Sequence, residues 1–165
     1  MQHIFLVGAC YVDTILSVPF FPQEDSKLRA QSLTVRRGGN CPNSLEVLRQ
    51  LLRHAPGSVG SAARTHLVSC LPDAGSVATA RIKASFGAEG DDDGDGDGFL
   101  GSCIYREGVE EPASSFIVRS LETGSRTIVN YNGLEEMTAE EFRAAVEGFR
   151  KGGAGESWWH FEVRC

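Results

Sequence analysis

The eight residues Arg36-Arg37-Gly38-Gly39-Asn40-Cys41-Pro42-Asn43 hold the densest set of ligand-capable groups in this chain. Two successive glycines let a backbone approach a ligand with no Cβ in the way. Pro42 suits the first helical position, where its missing N–H is not needed. Leu45, Leu48 and Leu51/Leu52 then recur at helical spacing, with Glu46, Arg49, Gln50 and Arg53 outside the stripe, so a helix is expected from Pro42 to His54. Asn40 and Asn43 thus stand at a helix mouth, each with amide donors and an acceptor. Such a mouth suits a small polyhydroxylated ligand. The same octapeptide also suits a capped surface helix with no ligand at all.

A carboxylate precedes it. The apolar run Ile4 to Val7 and Gly8 lead into Tyr11-Val12-Asp13-Thr14-Ile15-Leu16. This pattern predicts a buried strand over about Ile4–Ala9, a single acid just past its end, and an extended continuation over Thr14–Val18. Asp13 has two oxygens and can accept from two neighbouring hydroxyls, a directional and charge-assisted grip. Further on, Lys27–Val35 alternates without a strong apolar bias, as a two-sided lid strand would. Thr65–Cys70 reads as a short strand and Ser76 to Phe86 as a helix. Ser115–Arg119 and Arg126–Asn130 flank Glu122-Thr123-Gly124-Ser125, a hairpin signature. Thr138 to Phe149 is the clearest helix: Thr138 and Glu141 form a capping box, and Phe142, Ala145/Val146 and Phe149 form the buried stripe. Trp158–Val163 is a final strand. Strands alternating with helices imply an α/β fold with a mostly parallel sheet.

The order of these motifs resembles the first half of a PfkB-family (ribokinase-like) carbohydrate kinase, and within it the ketohexokinase, or hepatic fructokinase, type. The residues that carry the resemblance are Pro22-Gln23-Glu24-Asp25-Ser26, Arg37-Gly38-Gly39-Asn40 with Asn43-Ser44, Arg126-Thr127-Ile128-Val129, and Trp159-His160-Phe161-Glu162-Val163-Arg164. The resemblance runs from about Ile4 to Cys165. It implies a partial PfkB domain over 1–165, helices flanking the parallel sheet, and a small β lid from strands at about 14–37 and 114–131. An acidic low-complexity insert falls at about 89–98.

The chemistry implied is transfer of a phosphoryl group from ATP to a sugar hydroxyl, with Mg2+. The sugar must be held in line, the phosphate charge balanced and the hydroxyl deprotonated. The resemblance puts sugar contacts at Asp13, Gly39, Asn40 and Asn43. It gives Arg126 on the lid the catalytic role of meeting the transferred phosphate. Asp25 matches a loop residue that reaches the neighbouring subunit's sugar in dimers clasped through their lids. Read without the resemblance, Asp13 is a turn carboxylate, Asp25 a solvated turn residue and Arg126 a solvated hairpin cation. Glu162 and Arg164 match a strand-end pair near phosphates and metal.

The family's base is an aspartate in a late Gly-Ala-Gly-Asp helix start, whose backbone N–H groups also hold phosphate charge. Gly153-Ala154-Gly155-Glu156 has the wrong acid and leads into a strand, so it reads as a loop. The base and most of the nucleotide site are expected beyond this sequence, and the 165 residues alone are expected to be inactive as a kinase. The alternative is a non-catalytic remnant that binds sugar or dimerises through its lid. Cys41-Pro42 and Cys70-Leu71-Pro72-Asp73-Ala74-Gly75 depart from the family pattern.

Composition excludes other classes. Net charge is −6, and Asp91, Asp92, Asp93, Asp95 and Asp97 supply most of it. Basic residues are scattered without aromatic interleaving, which argues against nucleic acid. Five cysteines with no Cys-x-x-Cys spacing argue against a disulfide framework or zinc site and fit a reducing compartment. No signal peptide or membrane-length run is present, so a cytoplasmic protein is expected. Asp93-Gly94-Asp95-Gly96-Asp97 lacks the closing glutamate of a calcium loop, since Ile104 stands there. The four histidines are too scattered for a metal set, and Trp158 and Trp159 read as packing residues.

Overall fold

The computed structural model describes residues 2–54, 63–87, 98–151 and 155–162. Three parallel strands make the core sheet, in the order β4-β1-β9: β1 is Gln2–Val7, β4 is Ala63–Val68 and β9 is Ser157–Phe161. Phe5 on the central strand pairs with His66 on one side and Trp159 on the other. Side chains alternate across a strand, so this row faces one way and Leu6 and Leu67 face the other.

Both faces are covered. Helix α1 (Asn40–His54) and a 3-10 turn at Gly98–Leu100 pack on the Leu6 side, where Leu6, Cys41, Leu45, Leu67, Phe99 and Leu100 form one buried cluster. The α3 helix (Ala139–Lys151) covers the other side. Phe149 meets Phe5 edge-on at 4.7 Å, and Phe142 meets Trp159 at 5.7 Å. Trp159 itself stacks on Phe5 with centroids 3.9 Å apart. The capping box forms as expected: Thr138 N–H donates to the Glu141 carboxylate at 2.8 Å, and Glu141 N–H donates to Thr138 Oγ1 at 3.1 Å.

The second sheet is four-stranded, in the order β3-β2-β7-β8, from β2 (Tyr11–Val18), β3 (Ser32–Gly38), β7 (Ser114–Ser120) and β8 (Arg126–Tyr131). β2–β3 and β7–β8 are antiparallel, and β2–β7 is parallel. A short parallel pair, β5 (Cys70–Leu71) with β6 (Ile104–Tyr105), and helix α2 (Val77–Ala84) lie between the sheets in sequence. Ser76 caps α2, its Oγ accepting from Thr79 N–H at 3.0 Å. A second buried cluster, Cys10, Val12, Leu71 and Ile82, joins α2 to the start of β2. Among the described residues, no helix is long and apolar enough to cross a membrane.

Several expectations shift. The lid strand expected at Lys27–Val35 is β3 at Ser32–Gly38, because β2 offers partners only from Tyr11↔Gly38 to Ser17↔Ser32. The strand expected over Thr65–Cys70 divides at Ser69, where the chain leaves β1 for the β5–β6 pair. Pro42 is the third residue of α1, still within the turn whose N–H groups lack helical partners. Leu51 is 65% exposed, so the stripe of α1 keeps Leu45 and Leu48 and gains Cys41 but loses Leu51. Trp158 is 60% exposed; it alternates with Trp159 on β9, and its ring neighbour is His160. The acidic stretch from 89 to 97, Gly153-Ala154 and Arg164 lie outside the described residues.

Candidate active site

A cleft of about 640 Å³ opens where the carboxyl ends of β1 and β9 meet the inner face of the second sheet. Ligands of open α/β sheets bind at this end of the strands. The period-2 alternation of the lid strands decides which side chains face it. Asp13, Arg36, Ser115 and Asn130 form one cross-strand row, Ile15, Thr34, Ile117 and Ile128 the next, and Arg119 and Arg126 a third. From these rows Asp13, Arg36, Ser115, Ile117, Arg126, Ile128 and Asn130 line the cleft.

The turn before α1 supplies the other wall. Gly39 has φ 98°, and a Cβ there would run into the carbonyl oxygen of Ala9. A side chain on Gly38 would occupy the position of the Asp13 carboxylate. The two glycines therefore bring backbone and acid together as no other residues would. The first helical bond of α1, Asn43 N–H to Gly39 C=O at 3.1 Å, sets both asparagines on the cleft rim. Asn40 Nδ2 donates to the Glu162 carboxylate just past β9.

Of the residues singled out in the sequence, Asp13, Gly39, Asn40, Asn43 and Arg126 come together around this one cleft. Asp13 is largely sheltered, and Arg36 Nε lies 3.8 Å from its Oδ2, too far for a direct hydrogen bond. Arg126 begins β8, opposite Arg119 in the ladder. Like charges directly opposite are destabilising, so this end of the cleft favours an anion. Asp25 does not line the cleft; it sits exposed in the turn before β3 with φ 57°.

Other cleft residues carried weaker signals. Ser115 and Asn130 follow from alternation once Asp13 is placed in register. The rim loop Asn132–Met137 had no local signature, and a distant side chain holds it. Arg106 donates to the carbonyls of Glu135 at 3.0 Å and Glu136 at 2.9 Å, and its guanidinium pairs with the Glu141 carboxylate. That pairing, with the Thr138 N–H, holds the Glu141 carboxyl at about 2, far below the usual carboxylate range. Arg106 also reaches Cys70 Sγ at 3.3 Å.

The thiols near the cleft are not poised as nucleophiles. Burial pushes Cys10 up to about 12 and Cys41 up to about 11, and raises Cys70 and Cys103 as well. A thiolate is the reactive form, and these groups stay protonated at neutral pH. Cys10, Cys41, Cys70 and Cys103 are all free.

No protein-family model matches the chain. Ketohexokinase of Mus musculus is 30% identical over 165 residues, which cover 99% of this chain and 46% of that protein. Escherichia coli phosphofructokinase-2, solved with fructose-6-phosphate, superposes with a TM-score of 0.62 at 13% identity, over 98% of this chain and 45% of that one. Arabidopsis thaliana ribokinase, solved with ribose and ATP, gives a TM-score of 0.55 at 16% identity, over 78% of this chain and 35% of that one. The chain spans about half the length of the curated relative it matches. The chain is thus similar to a ketohexokinase along its whole length, over about half of that relative, and its fold is ribokinase-like.

Proposed function

We propose that the chain is the sugar-binding part of an ATP-dependent sugar kinase, with a ketohexose such as fructose as its substrate. The observation that carries this reading is the convergence of Asp13, Gly39, Asn40, Asn43 and Arg126 on one cleft. Asp13 accepts from adjacent sugar hydroxyls, the asparagine amides fix the sugar's orientation, and the Gly38-Gly39 turn lets the ring lie against backbone. ATP supplies the phosphoryl group. Arg126, on the lid, is the side chain suited to meet it, with Arg119 across the ladder adding positive charge. Among the described residues no three His, Cys, Asp or Glu side chains come together as a metal site, so the ligands for Mg2+ are sought outside them. Cys10, Cys41, Cys70 and Cys103, all unpaired, fit work in a reducing cytoplasm.

A second reading, a sugar-binding or dimerising chain without catalysis, is favoured by the outer lid face. Val35, Thr14, Phe116 and Val129 form one row in register there, and Val35, Phe116 and Val129 are exposed. A second copy laid on this face buries them, and the Asp25 turn is the segment offered to the partner's cleft.

Titration calorimetry of the 165-residue chain with D-fructose tests the sugar site. Saturable binding is expected, weakened more than tenfold by Asp13→Asn, since a hydrogen bond to a charged group contributes about 1.5–3 kcal/mol. An unchanged affinity removes Asp13 from the site. The 165 residues alone are expected to release no ADP from ATP, so turnover is read in a longer product that carries a downstream Gly-Ala-Gly-Asp: turnover there supports the kinase, and sugar binding without turnover there supports the second reading.

A further inference from the structure

We propose that Arg37, which does not line the cleft, is a positioning residue that turns the Asn43 amide so that its NH2 end is the one offered to a ligand. The proposal rests on the cleft being a sugar site and assigns the hydrogen-bond polarity of that site. Arg37 is the penultimate residue of β3, and its side chain is only 4% exposed. Each guanidinium nitrogen has its own acceptor: Nε donates to Ser85 Oγ at 3.1 Å, Nη1 to Asn43 Oδ1 at 3.2 Å and Nη2 to the Glu46 carboxylate. The group also lies over the Phe86 ring, 4.1 Å from its centroid. A planar fork held at three corners and one face cannot swing.

The chemistry of the pair fixes the amide. A guanidinium only donates, so the Asn43 atom against it is the oxygen; the flipped amide would set donor against donor. Asn43 Nδ2 then has no partner among the described residues, and it lies at the cleft rim. Asn40 is set the other way. One N–H of its Nδ2 goes to Glu162, and Oδ1 is left whole as an acceptor. The cleft thus offers acceptors at Asp13 and Asn40 and a full NH2 donor at Asn43. A hydroxyl that donates to Asp13 can accept from Asn43, and a ligand group without a lone pair at that point is rejected.

Three variants of the 165-residue chain, Arg37→Met, Arg37→Lys and Asn43→Ala, with the double variant R37M/N43A, test this by calorimetry with D-fructose. Arg37→Met is expected to weaken binding about tenfold, and to cost nothing further in the Asn43→Ala background. Arg37→Lys recovers only part, because a single ammonium nitrogen cannot reach three acceptors spread around the guanidinium plane. An equal cost of Arg37→Met in both backgrounds overturns the proposal, since Arg37 would then act without Asn43.

A ligand-free measurement runs beside it. The Asn43 side-chain amide proton pair, identified by its loss in Asn43→Ala, is expected to shift in Arg37→Met; an unmoved pair overturns the proposal. Absence of any fructose binding by the unaltered chain counts against the sugar reading alone, and the amide shift still decides the role of Arg37. Should Arg37→Met unfold, Asn43→Asp keeps an oxygen on Arg37 and replaces only the free NH2. It is expected to melt no lower than the parent and to lose more than tenfold in affinity, and retained affinity overturns the proposal.

Discussion

Adjacent tryptophans on β9 should differ sharply in what they contribute. Trp159 stacks on Phe5 at 3.9 Å, meets Phe142 edge-on at 5.7 Å and donates from Nε1 to Ser157 Oγ at 3.1 Å. Phe5 is 1% exposed, so truncating Trp159 opens a void against the centre of the core sheet. Truncation of a buried tryptophan costs about 3–5 kcal/mol, and Trp159 is half-buried, which places Trp159→Ala near 3 kcal/mol. Trp158 is 60% exposed, and its ring neighbour is His160 at 6.0 Å. Trp158→Ala should cost about 0.5 kcal/mol. With a urea slope of about 2 kcal/mol/M, the midpoints fall by about 1.5 M and about 0.3 M. Equilibrium urea unfolding of both variants, followed by circular dichroism, reads this directly. Equal losses, or a larger loss for Trp158, would refute the register Phe5↔Trp159 and with it the route by which β9 delivers Phe161 and Glu162 to the cleft.

Other outcomes follow from the same geometry. Gly39→Ala should lower stability by about 1–3 kcal/mol and weaken D-fructose binding, because φ 98° disfavours a side chain and the new Cβ meets Ala9 C=O; urea unfolding and calorimetry check it. Arg106→Met should cost about 2 kcal/mol and make the amides of Glu135, Glu136 and Met137 exchange faster than the rest of the chain, by hydrogen exchange. The His3 pair responds to pH. His3 Nδ1 and His66 Nε2 share one hydrogen bond at 2.9 Å, and burial with nearby Arg64 lowers His3 below its ordinary 6.5. The folded chain therefore favours neutral His3, whose stabilisation is present above pH 6.5 and is lost as pH falls below it. The melting temperature should drop between pH 7.5 and 5.5, and His3→Phe should flatten that drop.

Local signals were legible where neighbours in sequence decide the structure. Thr138 and Glu141 cap α3 as their spacing requires, and the Glu122–Ser125 turn joins β7 to β8 in antiparallel register. The glycine pair and Asn43 meet Asp13 at one cleft because the turn and the β2–β3 ladder are close in sequence. What depends on distant partners was not legible. The bounds of β3 follow from the length of β2. Arg37 is held by Ser85, 48 positions away, and Arg106 holds a rim loop about 30 positions on. No spacing rule records such contacts, since nothing in a local window tells a buried arginine fork from a solvated cation.

The most direct test of the sugar site is a two-dimensional 1H–15N titration of the 165-residue chain with D-fructose. The backbone amides of Asp13, Gly39, Asn40 and Asn43 should shift together along one saturable curve, while those of α3 stay still. No saturable shift, or shifts confined to residues away from the cleft, would contradict the account.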